Sequence, residues 1–417
     1  MRFLYLISYC ILFLLVFLYK NYIYFENKIN NLDIMIKTVL MAGGKGTRLR
    51  PLTFIRPKPM VPLVNKPIMQ YMIERLRASG FVDLIVTLSY MSSHIKRYFK
   101  DGTDMGLNIK YSVEPWPMGT GGGVKKVKKF IDDTFFVVSG DVITDVNFRD
   151  LLKFHKDKGA MATMVLTQVN DPSHFGIAEI DDNQQIVNYL EKPSPDKVFS
   201  NIANTGTYVF QPEIFDYLDR KRGEVDFSKH IFPQLIRDGA GFYGYIFDGY
   251  WNDVGRPDTY IKATYDLLDQ EIKQRLKGKK INRQVGRLGN IWTGKNPKIG
   301  EKVRIEGPVV IGDNCILEEG CKISQGTVIG NNVHIKKNTN IQGAVIFSNS
   351  IIGENSFLEG CIIDSRCSIN ENTIVERDAV VGSLTELGAG CIIKSSRFIA
   401  NNVSIPADSI VDYDYLR

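Results

Sequence analysis

"VVIGDNCILEEGCKISQGTVIGNNVHI", residues 309–335, places an aliphatic residue at every sixth position: Ile311, Leu317, Ile323, Ile329 and Ile335. The register opens upstream at Ile299 and Ile305 and continues to Ile341. After an irregular passage, "AVIFSNSIIGENSFLEG", a second register carries Ile363, Ile369, Val375, Val381, Leu387, Ile393, Ile399 and Ile405. Repetition this regular is a fold signal in its own right. Two positions before most of these aliphatics stands a smaller residue, among them Val303, Val309, Cys315, Cys321, Thr327, Val333, Cys361, Cys367, Thr373, Ala379 and Cys391. Five of the six cysteines thereby occupy small inward slots, where a thiol acts as a compact hydrophobe. The pairs Cys315/Cys321 and Cys361/Cys367 are accounted for without a metal or a disulfide, and a reducing compartment fits best.

The unit aliphatic-Gly-x-x-small-x, as in "IGDNCI", "IGNNVH" and "VGSLTE", resembles the hexapeptide repeat of left-handed parallel β-helices. The resemblance spans residues 291 to 410 and implies triangular coils whose stacking buries a column of aliphatics. Such domains can host acyl transfer, but that chemistry usually calls for a histidine at a subunit interface. The repeats offer only His334, which reads as a solvated residue on a coil. Assembly is the expected role, because open coil ends and flat faces invite a neighbour and hence a homo-oligomer.

At 417 residues, with 44% hydrophobic and 24% charged residues, the chain has the composition of a globular protein of two ordinary domains. A net charge of +6 without clustered Lys/Arg interleaved with aromatics argues against nucleic acid as a partner. The first 34 residues differ from the rest. The uncharged run "FLYLISYCILFLLVFLY", Phe3 to Tyr19, is at the short end of what spans a bilayer and lacks a cleavage site. Two readings stand: a membrane anchor, or translated A/T-rich DNA upstream of a start at Met35, which opens "MIKTVLMAGG". The second is preferred. Residues 35–265 then form one domain, 266–290 a helical linker and 291–417 the repeat domain.

Chemistry concentrates in "MAGGKGTRLRPLTFIRPKPM", residues 41–60, which follows the strand-like "IKTVL". Glycines 43, 44 and 46 let backbone N–H groups approach anionic oxygens, and Arg48 can clamp a phosphate with two parallel hydrogen bonds. The segment lacks the Gly-Lys-Ser/Thr ending of a Walker loop, and Leu49 stands where a dinucleotide fingerprint needs its third glycine. Lys58 is held between Pro57 and Pro59, a rigid cation suited to a transferring phosphoryl group. Asp141, in "FFVVSGDVITD", follows a buried-strand pattern, where open α/β sheets place ligand chemistry. A second acid, Asp253, lies in "GYWNDVGRPDTY", and two carboxylates beside a phosphate-binding loop suit Mg²⁺.

Six pieces in order, "GGKGTRLRPLT", "RPKPMVPLVNKP", "MGTGGGVKK", "SGD", "EKP" and "GYWNDVG", resemble the sugar-1-phosphate nucleotidyltransferases over residues 37 to about 265. Within that family "SGDVITD", "NTGTYVF" and "DFSKHIFPQL" look most like prokaryotic mannose-1-phosphate guanylyltransferases. The resemblance implies a Rossmann-like α/β core followed by a left-handed β-helix. It also implies a cytoplasmic enzyme, anchored to a membrane only if residues 3–19 are a true anchor. The implied reaction is attack by a sugar 1-phosphate on the α-phosphorus of a nucleoside triphosphate, with GTP and mannose 1-phosphate preferred. Thymidylyl, uridylyl or adenylyl transfer to glucose 1-phosphate, or a non-catalytic regulatory subunit, is the alternative. By resemblance the loop Gly43, Gly44, Gly46, Thr47 and Arg48 holds the triphosphate, and Lys58 steadies the reacting phosphates. Gly119 and Thr120 lie near base or sugar, and Asp141 and Asp253 hold Mg²⁺. Glu191 grips sugar hydroxyls, Lys192 pairs with the sugar phosphate, and Asn204 completes the sugar side. The nucleophile is already an anion, so no general base is needed, and the chain offers no obvious Ser-His or Cys-His pairing.

Overall fold

The computed structural model describes residues 36–269, 279–281 and 287–416. The apolar run at residues 3–19 lies outside them, and among the described residues no helix is long and apolar enough to cross a membrane.

The first domain is built on a nine-stranded mixed sheet. Its parallel heart comprises β1 (Lys37–Met41), β2 (Asp83–Leu88), β3 (Asn108–Val113) and β4 (Phe135–Ser139), in the order β3-β2-β1-β4. Alternation along β1 sends Val39 to one face and Leu40 to the other, and both are fully buried. Leu40 joins Val86, Phe136 and Val138 under helix α1 (Ile68–Ala78), while Val39 joins Ile85, Phe135 and Val137 on the face that packs Val124 of helix α2 (Gly119–Lys125). A sheet covered on both sides reads as near-continuous apolar runs, which "KTVLM" and "FFVV" are. The strand order reverses between β1 and β4, which opens a crevice at their carboxyl ends. Beyond β4 the sheet continues antiparallel through β8 (Ile202–Phe210), flanked by β5 (Ala162–Gln168), β6 (Gly176–Ile180), β7 (Ile186–Glu191) and β9 (Phe242–Ile246).

The second domain is a three-sided parallel coil of eight-, eight- and seven-stranded sheets. Ile305, Ile311, Leu317, Ile323, Ile329, Ile335 and Ile341 all point into one continuous core, as do the eight aliphatics of the second register. The small residues two positions earlier are buried as well, and burial pushes the Cys321 thiol up to about 11 and those of Cys361 and Cys367 up to about 12. Cys315 Sγ lies 2.9 Å from the Gly330 carbonyl oxygen, one coil on.

The irregular passage between the registers has a simple cause. Neighbouring coils pair at 18 residues, as Ile311 with Ile329, but Val328 faces Val345 and Val345 faces Ile362 at 17. The inward column therefore steps from Ile341 to Ile346 and from Leu358 to Ile363. Both shortened steps fall at the same corner, where Gly343 and Gly360 adopt left-handed φ of 61° and 52°. Tyr265, on helix α3 (Pro257–Leu268), lies against that corner and donates to the Gly343 carbonyl at 2.8 Å.

Residues 266–290, expected as a helical linker, divide differently. The helix ends at Leu268, and Lys279–Ile281 and Arg287–Leu288 are strands that pair with the first coils; the stretches between lie outside the described residues. One sheet of the coil also turns an apolar outer face, with Trp292, Val310, Val328, Val345, Ile362 and Val380, against Leu49, Leu52, Tyr260 and Ile261 of the first domain. That face is consumed within the chain.

Candidate active site

The crevice between β1 and β4 gathers residues that are far apart in sequence. Gly43 and Gly44 follow β1, Asp141 follows β4, and the Gly140 N–H donates to the Met41 carbonyl at 2.9 Å, so the two strand ends leave the sheet together. A cleft of about 420 Å³ opens there, lined by Gly43, Gly44, Glu114, Gly119, Thr120 and Asp141 among others.

Lys58 lies behind Asp141, one of the residues lining that cleft. Its side chain is 7% exposed, and the ammonium lies 2.8 Å from both Asp141 Oδ2 and Asp253 Oδ1. Burial pulls its pKa down, yet the two carboxylates outweigh burial and hold it above the ordinary lysine value. Asp253 is brought in by a short antiparallel pair, Trp251–Asp253 with Val142–Thr144, in which Asp253 faces Val142, the residue after Asp141. Two acids 112 positions apart in the chain thus flank one cation. Arg48 Nη2 stands 3.7 Å from Asp253 Oδ2 with its side chain half exposed. Both border an adjoining cleft of about 520 Å³ with Phe175 and Trp251.

Gly46 is left-handed, with φ of 62°, and a Cβ there would come 2.7 Å from Lys58 Cβ. The loop therefore folds back on Lys58, and Thr53 Oγ1 closes it by donating to the Gly46 carbonyl at 2.9 Å. Thr47 starts a single 3₁₀ turn, Thr47–Leu49, and is exposed.

Gly119 opens α2 with φ of 77°, and a Cβ there would strike the Val225 carbonyl oxygen at 2.4 Å. Thr120 also lines the cleft, but its hydroxyl is engaged locally: it donates to Asp226 at 3.1 Å and accepts from the Phe227 N–H at 3.0 Å. Sequence reasoning missed Glu114. Its carboxylate lies on the cleft wall, accepts the Met118 N–H at 3.3 Å, and has its pKa raised, chiefly by burial. The available signal was an acid opening "EPWPMGTGGG", just ahead of a glycine-rich helix start.

Glu191 and Asn204 converge on one hydroxyl. Tyr189 donates to Glu191 Oε2 at 2.8 Å and receives Asn204 Nδ2 at 3.3 Å. Lys192, left-handed at φ 46°, is exposed, with Nζ 3.9 Å from Glu191 Oε1. The group is tied to the acids through Trp251, whose indole N–H donates to the Thr205 carbonyl at 3.1 Å.

Among the described residues no cluster of three or more His, Cys, Asp or Glu could hold a metal on protein ligands alone. The donor set of Asp141 and Asp253, already spaced around a cation, fits a hard divalent ion that takes its remaining ligands from phosphates and water.

The family profile described as "Nucleotidyl transferase" matches residues 37–270, and one described as "EIF2B subunit epsilon LbH domain" matches 288–393. Among curated proteins, the UTP--glucose-1-phosphate uridylyltransferase of Synechocystis is 36% identical over 66% of this chain and 74% of its own length. The mannose-1-phosphate guanylyltransferase of Mycobacterium tuberculosis is 33% identical over 66% and 79%. The mannose-1-phosphate guanyltransferase beta-A of Xenopus laevis is 34% identical over 64% and 73%. A solved Bacillus anthracis structure described as a glucose-1-phosphate thymidylyltransferase superposes with a TM-score of 0.52 at 23% identity, over 58% of this chain and 97% of its own, a likeness of fold. The profile match over residues 37–270, more than half of the chain, together with these relatives, places the chain in the sugar-1-phosphate nucleotidyltransferase family.

Proposed function

We propose that the protein transfers GMP from GTP to mannose 1-phosphate, releasing pyrophosphate and forming GDP-mannose. Relatives named for guanylyl transfer to mannose 1-phosphate support the pair, and Glu114 is the observation that carries the choice of base. A carboxylate is an acceptor only. Guanine offers it two adjacent donors, N1–H and the exocyclic amino group, whereas uracil and thymine offer one ring N–H. A half-buried acid whose nearest polar contact is one backbone N–H gains most from a ligand that supplies two.

In the reaction, a phosphate oxygen of the sugar 1-phosphate bonds to the α-phosphorus. The bond to the bridging oxygen of the β-phosphate breaks, and pyrophosphate leaves with the electron pair. Gly43, Gly44, Gly46 and Thr47 present backbone to the triphosphate, with Arg48 as its clamp, while Lys58 carries fixed positive charge at the reacting centre. Asp141 and Asp253 would hold Mg²⁺, which neutralises phosphate charge when bound. Gly119 and Thr120 shape the base end; Glu191, Asn204 and Lys192 take the sugar and its phosphate. A cytoplasmic setting suits the reduced thiols. A homo-oligomer through the β-helix remains part of this reading, supported by Ile410, Tyr413 and Leu416, which leave the last coil end apolar and exposed.

Pyrophosphate release, with four nucleoside triphosphates crossed against mannose 1-phosphate and glucose 1-phosphate, with and without Mg²⁺, tests the reading. A Mg²⁺-dependent maximum at GTP with mannose 1-phosphate is expected. A maximum at UTP with glucose 1-phosphate, the reaction for which the Synechocystis relative is named, overturns the substrate pair; silence across the grid overturns the activity.

A further inference from the structure

One corner column of the β-helix is almost wholly glycine and alanine. Reading up the stack, it holds Gly294, Gly312, Gly330, Phe347, Asp364, Gly382 and Ala400, each donating its N–H to the coil above. The small residues are required by that coil: a Cβ on Gly312 would lie 2.5 Å from the Gly330 carbonyl carbon, and one on Gly382 2.7 Å from that of Ala400. The column is broken at two adjacent coils, and both intruders face one residue of the other domain. Arg56 makes a fork on Asp364, Nη1 to Oδ2 at 3.0 Å and Nη2 to Oδ1 at 2.8 Å, and Nη2 also donates to Ser365 Oγ at 2.9 Å. Its guanidinium carbon lies 5.5 Å from the Phe347 ring centroid. The Asp364 side chain is fully buried and that of Arg56 only 12% exposed.

Arg56 is two residues from Lys58, with Pro57 between. Its Nη1 also reaches the Leu52 carbonyl at 3.4 Å, and the neighbouring Thr53 holds Gly46. The segment that carries the reacting-centre lysine is therefore pinned at Arg56. We propose that Phe347, Asp364 and Ser365 form a seat on the β-helix for Arg56 that sets the position of Lys58, making the β-helix a working part of the catalytic apparatus. Arg56 and Asp364 are positioning residues in this arrangement, and the proposal rests on the reading of Lys58 as the cation at the reacting phosphates.

The test uses the full chain with Arg56→Lys, which keeps the charge and loses the fork, Asp364→Asn, which keeps the shape, and each combined with Lys58→Ala. Displacing a reacting group by about 1 Å costs up to roughly 10²-fold in rate, so kcat is expected to fall about tenfold for Arg56→Lys and about 10- to 100-fold for Asp364→Asn. Both KM values should hold within about twofold, at a temperature where circular dichroism shows the variants folded. In the Lys58→Ala background neither change should lower kcat further, because a residue that acts through another has nothing left to act on. Hydrogen exchange at the amides of residues 46–60 should accelerate in both single variants.

Retained kcat in the folded variants, or losses that multiply with that of Lys58→Ala, would overturn the proposal. If Asp364→Asn fails to fold, Arg56→Lys and Ser365→Ala carry the same comparison. If the wild-type chain releases no pyrophosphate with any pair, the functional reading fails by itself. The exchange measurement then still decides the seat: faster exchange at 46–60 supports it and unchanged exchange overturns it.

Discussion

A glycine of the β-helix corner and a glycine of the loop after β1 stand in opposite surroundings. In the β-helix a Cβ on Gly330 would lie 2.5 Å from the Ser348 nitrogen, so the chain's own next coil demands the glycine. In the loop after β1 a Cβ on Gly44 would meet nothing within 4 Å, and one on Gly43 would make ordinary contact with Ser89 Cβ at 3.4 Å. The folded chain does not need Gly44; under the proposed function it is the close approach of a phosphate that would need it bare. Gly46 and Gly119 of the first domain are demanded by the fold as the β-helix glycines are, so Gly44 is the position where the contrast is cleanest.

The largest effect that would sharpen this contrast lies at Lys58 and Asp141. Turnover of Lys58→Ala or Asp141→Asn should fall roughly 10²- to 10³-fold at saturating Mg²⁺, read as pyrophosphate release. Near-full turnover would remove the cation and its acid from the mechanism.

A smaller effect compares the glycines directly. Gly44→Ala should lower kcat/KM for the nucleotide about tenfold, the worth of roughly one hydrogen bond, and leave the melting temperature alone. Gly312→Ala should cost about 1–3 kcal/mol of stability by overpacking, while the folded fraction turns over normally. Exchanged phenotypes, with Gly44 needed for folding and Gly312 for rate, would break the comparison.

The smallest effect concerns Glu114 and runs in two directions. Its pKa is raised in the folded chain, so between the unfolded and folded values the native state binds more protons, and stability falls as pH rises through the folded value. Glu114→Gln should flatten that slope in denaturant titrations from pH 4 to 8 and slightly stabilise the free protein at neutral pH. The same variant should lose about tenfold in its preference for GTP over UTP. A variant that is less stable at neutral pH, with GTP preference intact, would place Glu114 in the scaffold instead.

How much was legible beforehand depended on what a residue answers to. The hexad register answers to the next coil, which repeats, so Ile305 to Ile341 could be phased from spacing alone. The shortened steps after Ile341 and Leu358 could not be phased, because each drops one residue from the repeat; at the first, Tyr265 on a helix of the other domain donates to the Gly343 carbonyl. Lys58 was legible through its flanking prolines, and Asp141 through the strand before it. Arg56 stood in the same quoted stretch and carried no local mark; its partner is 308 residues away. Thr120 lines the cleft, yet its hydroxyl ties down the Asp226 loop, a use that only packing reveals.

Taken alone, the sequence determined both architectures and the family, because local spacing and motif chemistry survive without three-dimensional context. Only the tertiary structure decided that Asp141 and Asp253 share one lysine, that Glu114 stands on the wall of the cleft beside Asp141, and that one β-helix face packs on the first domain. Each of these is a contact between segments remote in the chain, fixed by the burial of charge and apolar surface that no spacing rule encodes.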